Sequence, residues 1–147
     1  MCIRDRYITN HGPRGGDFFG KVEAGTNYGW ADVAWGGIDY DGSIIGDGSA
    51  WKEGLLKPIY TWVPSIAVSD VTFYGGDLFP ELKNKILVTS LKAQRLISLE
   101  FDGKKARNET TLFEKVGRVR DVETNSAGEI YVIIDNEDSG IWKLVNK

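Results

Sequence analysis

Leu96-Ile97-Ser98-Leu99-Glu100-Phe101 sets its polar and apolar side chains on alternate positions, and Ile130-Tyr131-Val132-Ile133-Ile134 has the same β-rich character. A period near two with β-branched content belongs to a sheet rather than to an amphipathic helix. Working outward, strands are expected at residues 71–74, 86–90, 96–101 and 110–113, separated by Gly75-Gly76, Asn84-Lys85, Ala93-Gln94 and Asp102-Gly103. These make one four-stranded unit. A second opens at residues 119–123 and continues through 130–134 and 141–145, three strands in all. Asp70-Val71 and Asp121-Val122 hold matching places 51 residues apart. That spacing is close to the ~40–50 residues of a propeller blade. No helix of consequence is expected.

The totals agree with an all-β class. The 147 residues are 41% hydrophobic and 27% charged, enough for a real core, and 18 glycines with five tryptophans and six tyrosines suit turns between aromatic-packed strands. A net charge of −3 gives no electrostatic case for nucleic acid or an acidic membrane surface. Cys2 is alone, so no internal disulfide forms, and with a single histidine the usual four-ligand zinc site is excluded. No apolar run approaches the ~20 residues of a membrane span, and the first residues lack a signal peptide's apolar core. Asn108-Glu109-Thr110 fits the N-glycosylation pattern but reads as a turn.

His11-Gly12-Pro13-Arg14-Gly15-Gly16-Asp17 cannot be a helix or a central strand. It is a shaped loop that presents backbone groups at close range, delivered by a strand ending over residues 7–10 and followed by one at 18–23. On residues alone it reads as a tight connection with a surface Arg14–Asp17 pair. Asn27-Tyr28-Gly29-Trp30 is an aromatic turn. The glycine-rich stretch 31–51 is expected to be an excursion rather than core. Within it Asp39-Tyr40-Asp41-Gly42 reads as a hairpin tip, because the glycine comes too early for a calcium loop and no closing glutamate follows. Gly46-Asp47-Gly48 lacks the strand-to-helix context of a dinucleotide loop.

Lys92 follows a strand, while Arg118 and Arg120 open one and, two apart, face the same way in an extended chain. Two cations on one face need an anion between them. The residues alone suggest Asp121 or Glu123 as the partner of Arg120, a solvated Lys92, and core packing for Tyr60 and Trp62.

Taken in order, the glycine loop, Asn27-Tyr28-Gly29-Trp30, Pro64-Ser65-Ile66-Ala67, Ser90-Leu91-Lys92 and Gly117-Arg118-Val119-Arg120-Asp121-Val122 resemble the glucose/sorbosone dehydrogenase family. These are soluble aldose sugar dehydrogenases that use pyrroloquinoline quinone (PQQ) on a six-bladed β-propeller. The resemblance runs from about Tyr7 to Leu144. It implies an all-β propeller fragment, roughly the last two to three four-stranded blades, with residues 7–147 a partial domain and 1–6 an artefactual or truncated lead. The N-terminal half would be missing.

The implied function is PQQ- and calcium-dependent oxidation of the C1 hydroxyl of an aldose to the lactone, by a quinoprotein oxidoreductase that passes electrons to an external acceptor. By motif match His11, Asp17, Tyr60, Trp62, Ser65, Lys92, Arg118 and Arg120 would contact the cofactor, and the carbonyls of Gly12 and Pro13 would ligate calcium. The catalytic base would lie in the missing half. A periplasmic or secreted location is implied, and a homodimer is left open. Phe18-Phe19-Gly20 departs from the family, which usually has an acidic residue and an asparagine there. A non-enzymatic propeller used as a binding module is the alternative.

Overall fold

The computed structural model describes residues 6–145. Of the lead expected at residues 1–6, residues 1–5 lie outside them, and Arg6 opens the first strand. The chain divides into two compact units, residues 1–67 and 68–147.

In the first unit, β1 (Arg6–Asn10), β2 (Asp17–Val22) and β3 (Tyr60–Trp62) form an antiparallel sheet in that order. Asn10 faces Phe18 across the first pair, so β1 and β2 clamp both ends of the glycine loop. Asp17 faces Trp62 across the second. The segment that departs from the family explains itself here: Phe18, Phe19 and Gly20 are buried in β2, and Tyr7 stacks on Phe19 at 5.5 Å.

No strand forms between β2 and β3. The aromatic turn is bound into this unit by its own side chains. Asn27 Oδ1 accepts the Gly29 N–H at 2.8 Å, and the Tyr28 hydroxyl donates to the Lys21 carbonyl and accepts the Glu23 N–H. Residues 39–43 make a turn closed by the Gly42 N–H on the Asp39 carbonyl, without flanking strands, so it is not the tip of a hairpin. Nor is the excursion free of core, since Val33, Ala34 and Ile45 are buried.

The second unit holds two sheets. β4 (Val68–Phe73), β5 (Lys85–Ser90), β6 (Arg95–Phe101) and β7 (Ala106–Glu114) run in sequence order, and β8 (Arg118–Thr124), β9 (Ile130–Asp135) and β10 (Gly140–Lys143) make a three-stranded sheet. A single 3-10 turn, Pro80–Leu82, is the only helical element among the described residues. Leu87 and Leu96 of the first sheet, with Tyr74, Phe79 and Leu82, pack on Val119, Val122, Ile130, Val132 and Ile134 of the second. Each such fully buried aliphatic side chain contributes about 1.5–3 kcal/mol.

The repeat is structural as well as sequential. β4 carries a register shift between Val68 and Val71, and β8 one between Val119 and Asp121. At the first bulge the Ser69 hydroxyl donates to the Val119 carbonyl at 2.7 Å, while the Asp70 carboxylate accepts the Val122 N–H at 3.2 Å. Side chains of β4 thus satisfy the backbone edge of β8. Asp70 is half-buried, and burial, reinforced by the neighbouring Asp121 carboxyl, raises its pKa above the ordinary 3.8.

Candidate functional site

The glycine loop of the first unit is built by close backbone approach. A Cβ on Gly12 would lie 1.9 Å from the Gly15 carbonyl oxygen, and one on Gly16, at φ +78°, would lie 1.8 Å from that of Ala34. No side chain fits at either place. The loop is tied to the segment after β3 by the Gly16 N–H on the Trp62 carbonyl and the Ser65 N–H on the Arg14 carbonyl, and to residue 38 by the Arg14 N–H.

Asp17 is not the surface partner of Arg14 that the residues alone suggested. It is fully buried, with Oδ1 accepting the Gly12 N–H at 2.8 Å and Oδ2 the Ile66 N–H at 3.0 Å. Ser65 is buried beside it, and its hydroxyl accepts the Ala67 N–H at 3.1 Å. Trp62 is buried and meets Tyr60 edge to face at 4.9 Å, which is the core packing expected of alternating aromatics. His11 is exposed and, with Asn10, Gly12, Pro13, Phe18 and Trp35, borders a cavity of about 190 Å³.

Among the described residues the carbonyl oxygens of Gly12 and Pro13 accept no hydrogen bond. Calcium takes hard oxygen donors of this kind. No cluster of three or more His, Cys, Asp or Glu side chains is placed to hold a metal among those residues. An ion at the loop would therefore rest on carbonyls together with the oxygens of a ligand.

In the second unit, Lys92 follows β5, is exposed, and has no ion pair among the described residues. Arg118 and Arg120 do share an anion, but it is Asp135 at the end of β9 rather than Asp121 or Glu123. Arg120 engages it through Nε at 2.9 Å and through Nη2, whereas Arg118 reaches it only at 3.8 Å. Arg118 faces Asp135 across the β8–β9 pair, and the bulge at Arg120 brings the second guanidinium to the same carboxylate. The three cations are exposed, so they offer charge to solvent or to a ligand with carboxylates.

A bulged four-stranded sheet followed at blade spacing by a bulged three-stranded one defines the chain as part of an all-β propeller protein. Over residues 4–143 it matches the family described as Glucose / Sorbosone dehydrogenase, and it belongs to that family. It is 34% identical over 140 residues to the aldose sugar dehydrogenase YliI of Escherichia coli (strain K12), covering 94% of this chain and 38% of that protein. A solved glucose dehydrogenase superposes with a TM-score of 0.88 at 31% identity, covering 96% of this chain and 41% of the other. The fold extends to the PQQ-bound aldose sugar dehydrogenase of Streptomyces coelicolor, with a TM-score of 0.70 at 18% identity and coverages of 97% and 40%. The chain thus spans about two fifths of the length of these relatives.

Two partnerships escaped the sequence. Asp135 could have been found by counting outward from the Asn125–Gly128 turn, but the bulge shifts the register by one. Asp17 gave no sign of its bond to Ile66, which lies 49 residues away.

Proposed function

We propose that the complete protein is a PQQ- and calcium-dependent dehydrogenase that oxidises the C1 hydroxyl of an aldose to the lactone. The observation that carries this reading is the glycine loop: a closely packed turn whose two consecutive carbonyl oxygens, on Gly12 and Pro13, accept no hydrogen bond among the described residues. They would hold the calcium ion, with His11 beside them. Considered separately, Lys92, Arg118 and Arg120 would pair with carboxylates of the quinone, and Arg120 retains Nη1 for this while Nε and Nη2 stay on Asp135. When bound, the quinone would supply the hydride acceptor and calcium the polarising charge. The chain's own residues bind and orient; none of them is assigned the role of base. Tyr60, Trp62 and Ser65 would support the site by packing. The reading carries with it an external electron acceptor and a periplasmic or secreted location. Among the described residues no helix is long and apolar enough to cross a membrane.

Titration of PQQ into the complete apoprotein in the presence of calcium, followed by quinone absorbance, tests this. Charge-assisted contacts are worth about 1.5–3 kcal/mol. Arg118→Ala and Lys92→Ala are therefore expected to raise the PQQ dissociation constant by roughly tenfold to a hundredfold, with the melting of the apoprotein unchanged. Wild-type affinity in both variants would remove the cofactor assignment and leave the binding-module reading in its place.

A further inference from the structure

Asp17 is the one charged residue in the buried set of the described chain. Each of its carboxylate oxygens accepts a backbone N–H, and the two amides come from different loops: Gly12 in the glycine loop, and Ile66 in the turn that follows β3. A buried carboxylate is tolerated where it is fully hydrogen-bonded, and such bonds are roughly twice as strong as neutral ones. The Gly12 amide belongs to the same residue as the first of the two free carbonyls. Holding it fixes the His11–Gly12 peptide plane, and the close approach of Gly12 to the Gly15 carbonyl restricts the two torsions that remain between that plane and the Gly12 carbonyl. The other links between the two loops are neutral backbone bonds, from Gly16 to Trp62 and from Ser65 to Arg14.

We propose that Asp17 is a positioning residue for the calcium site, acting through the loop and not by contact with the cofactor. This rests on the function proposed above. Its carboxylate holds in place the loop that carries the Gly12 and Pro13 carbonyls, so that a dication is favoured by geometry. Ile66 is its anchor. Because Ile66 is buried, the loop is referred to the core of the unit and not to the solvent-exposed His11.

The test uses the complete protein, with calcium binding measured by calorimetry without and with PQQ and with hydrogen exchange followed at the Gly12 and Ile66 amides. Asp17→Asn keeps the shape, removes the charge and turns one acceptor into a donor that must face an N–H. It is expected to raise the calcium dissociation constant at least tenfold in the absence of PQQ and to speed exchange at one of the two amides; Asp17→Ala speeds both. Because Asp17→Ala can compromise folding, the Asn variant and its exchange pattern decide. Unchanged calcium affinity in Asp17→Asn, with calcium binding intact in the wild type, overturns the positioning role alone. So does a loss confined to PQQ affinity, which would mark direct contact. A wild-type protein that binds no calcium overturns the proposed function instead, and the role of the carbonyls with it.

Discussion

Residues 68–145 and residues 6–67 reach a buried core by opposite means. In the former, apolar side chains do the work: Ile86, Leu87, Leu96, Ile97 and Leu99 are fully buried, at consecutive as well as alternate positions, so both faces of β5 and β6 are covered. In the latter, the three strands are short, and much of the interior is backbone against backbone, with Gly12 on Gly15, Gly16 on Ala34 and Gly37 on Gly15. A side-chain core forgives a lost methyl group in proportion to the cavity left behind. A backbone core has no such gradation, because a single added Cβ must displace a carbonyl.

The comparison can be broken most directly with glycine. Gly16→Ala places a Cβ against the Ala34 carbonyl at a positive φ, and Gly103→Ala places one at an equally positive φ with nothing within 4 Å. The first is expected to cost more than about 4 kcal/mol and the second about 1–2 kcal/mol, the left-handed penalty alone. Chemical denaturation of the complete protein reads both. Similar losses would mean that the two regions tolerate added atoms alike.

A smaller effect should sharpen the other side. Ser98 is fully buried in β6, and its hydroxyl has no hydrogen-bond partner among the described residues. Leaving such a group unsatisfied costs about 1–3 kcal/mol, so Ser98→Ala is expected to be neutral or to stabilise by about 1 kcal/mol. A loss of 2 kcal/mol or more in the denaturation midpoint analysis would show that even the regular sheet depends on a polar contact there.

The smallest effect concerns acid. Burial, and then the Asp121 carboxyl, raise the Asp70 pKa above 3.8. The folded state therefore holds this proton more tightly than the unfolded one, and stability declines as pH rises from about the ordinary carboxylate value through the raised one. Asp70→Asn keeps an acceptor for the Val122 N–H and should remove that decline. Melting temperatures of wild type and variant should diverge across this window, in favour of the variant as pH rises. Parallel curves would show that Asp70 does not titrate differently on folding.

How much could be read in advance follows the same division. The strands of the second unit were legible because apolar, β-branched runs are bounded there by turn residues; only their ends moved, β4 starting at Val68 and β7 at Ala106. The bulges were not legible, and so Arg120 was given the wrong local anion. The glycine loop was recognisable as a loop from composition. What it packs against was not, because Ala34, Gly37 and Ile66 are brought to it by tertiary folding, and no periodicity connects them. The burial of Asp17 belongs to that same class: a carboxylate followed by two phenylalanines looks like a strand entrance, and only the fold shows which amides it serves.

The bond pair at the β4 bulge bears finally on association. An edge strand offers its free N–H and carbonyl groups to any foreign strand that comes near, which is how sheets recruit one another into aggregates. On β8 the Val119 carbonyl and the Val122 N–H are already held by Ser69 and Asp70. Two of the groups an incoming strand would use are thus taken without a strand being spent on them, and a half-buried carboxylate stands at that place.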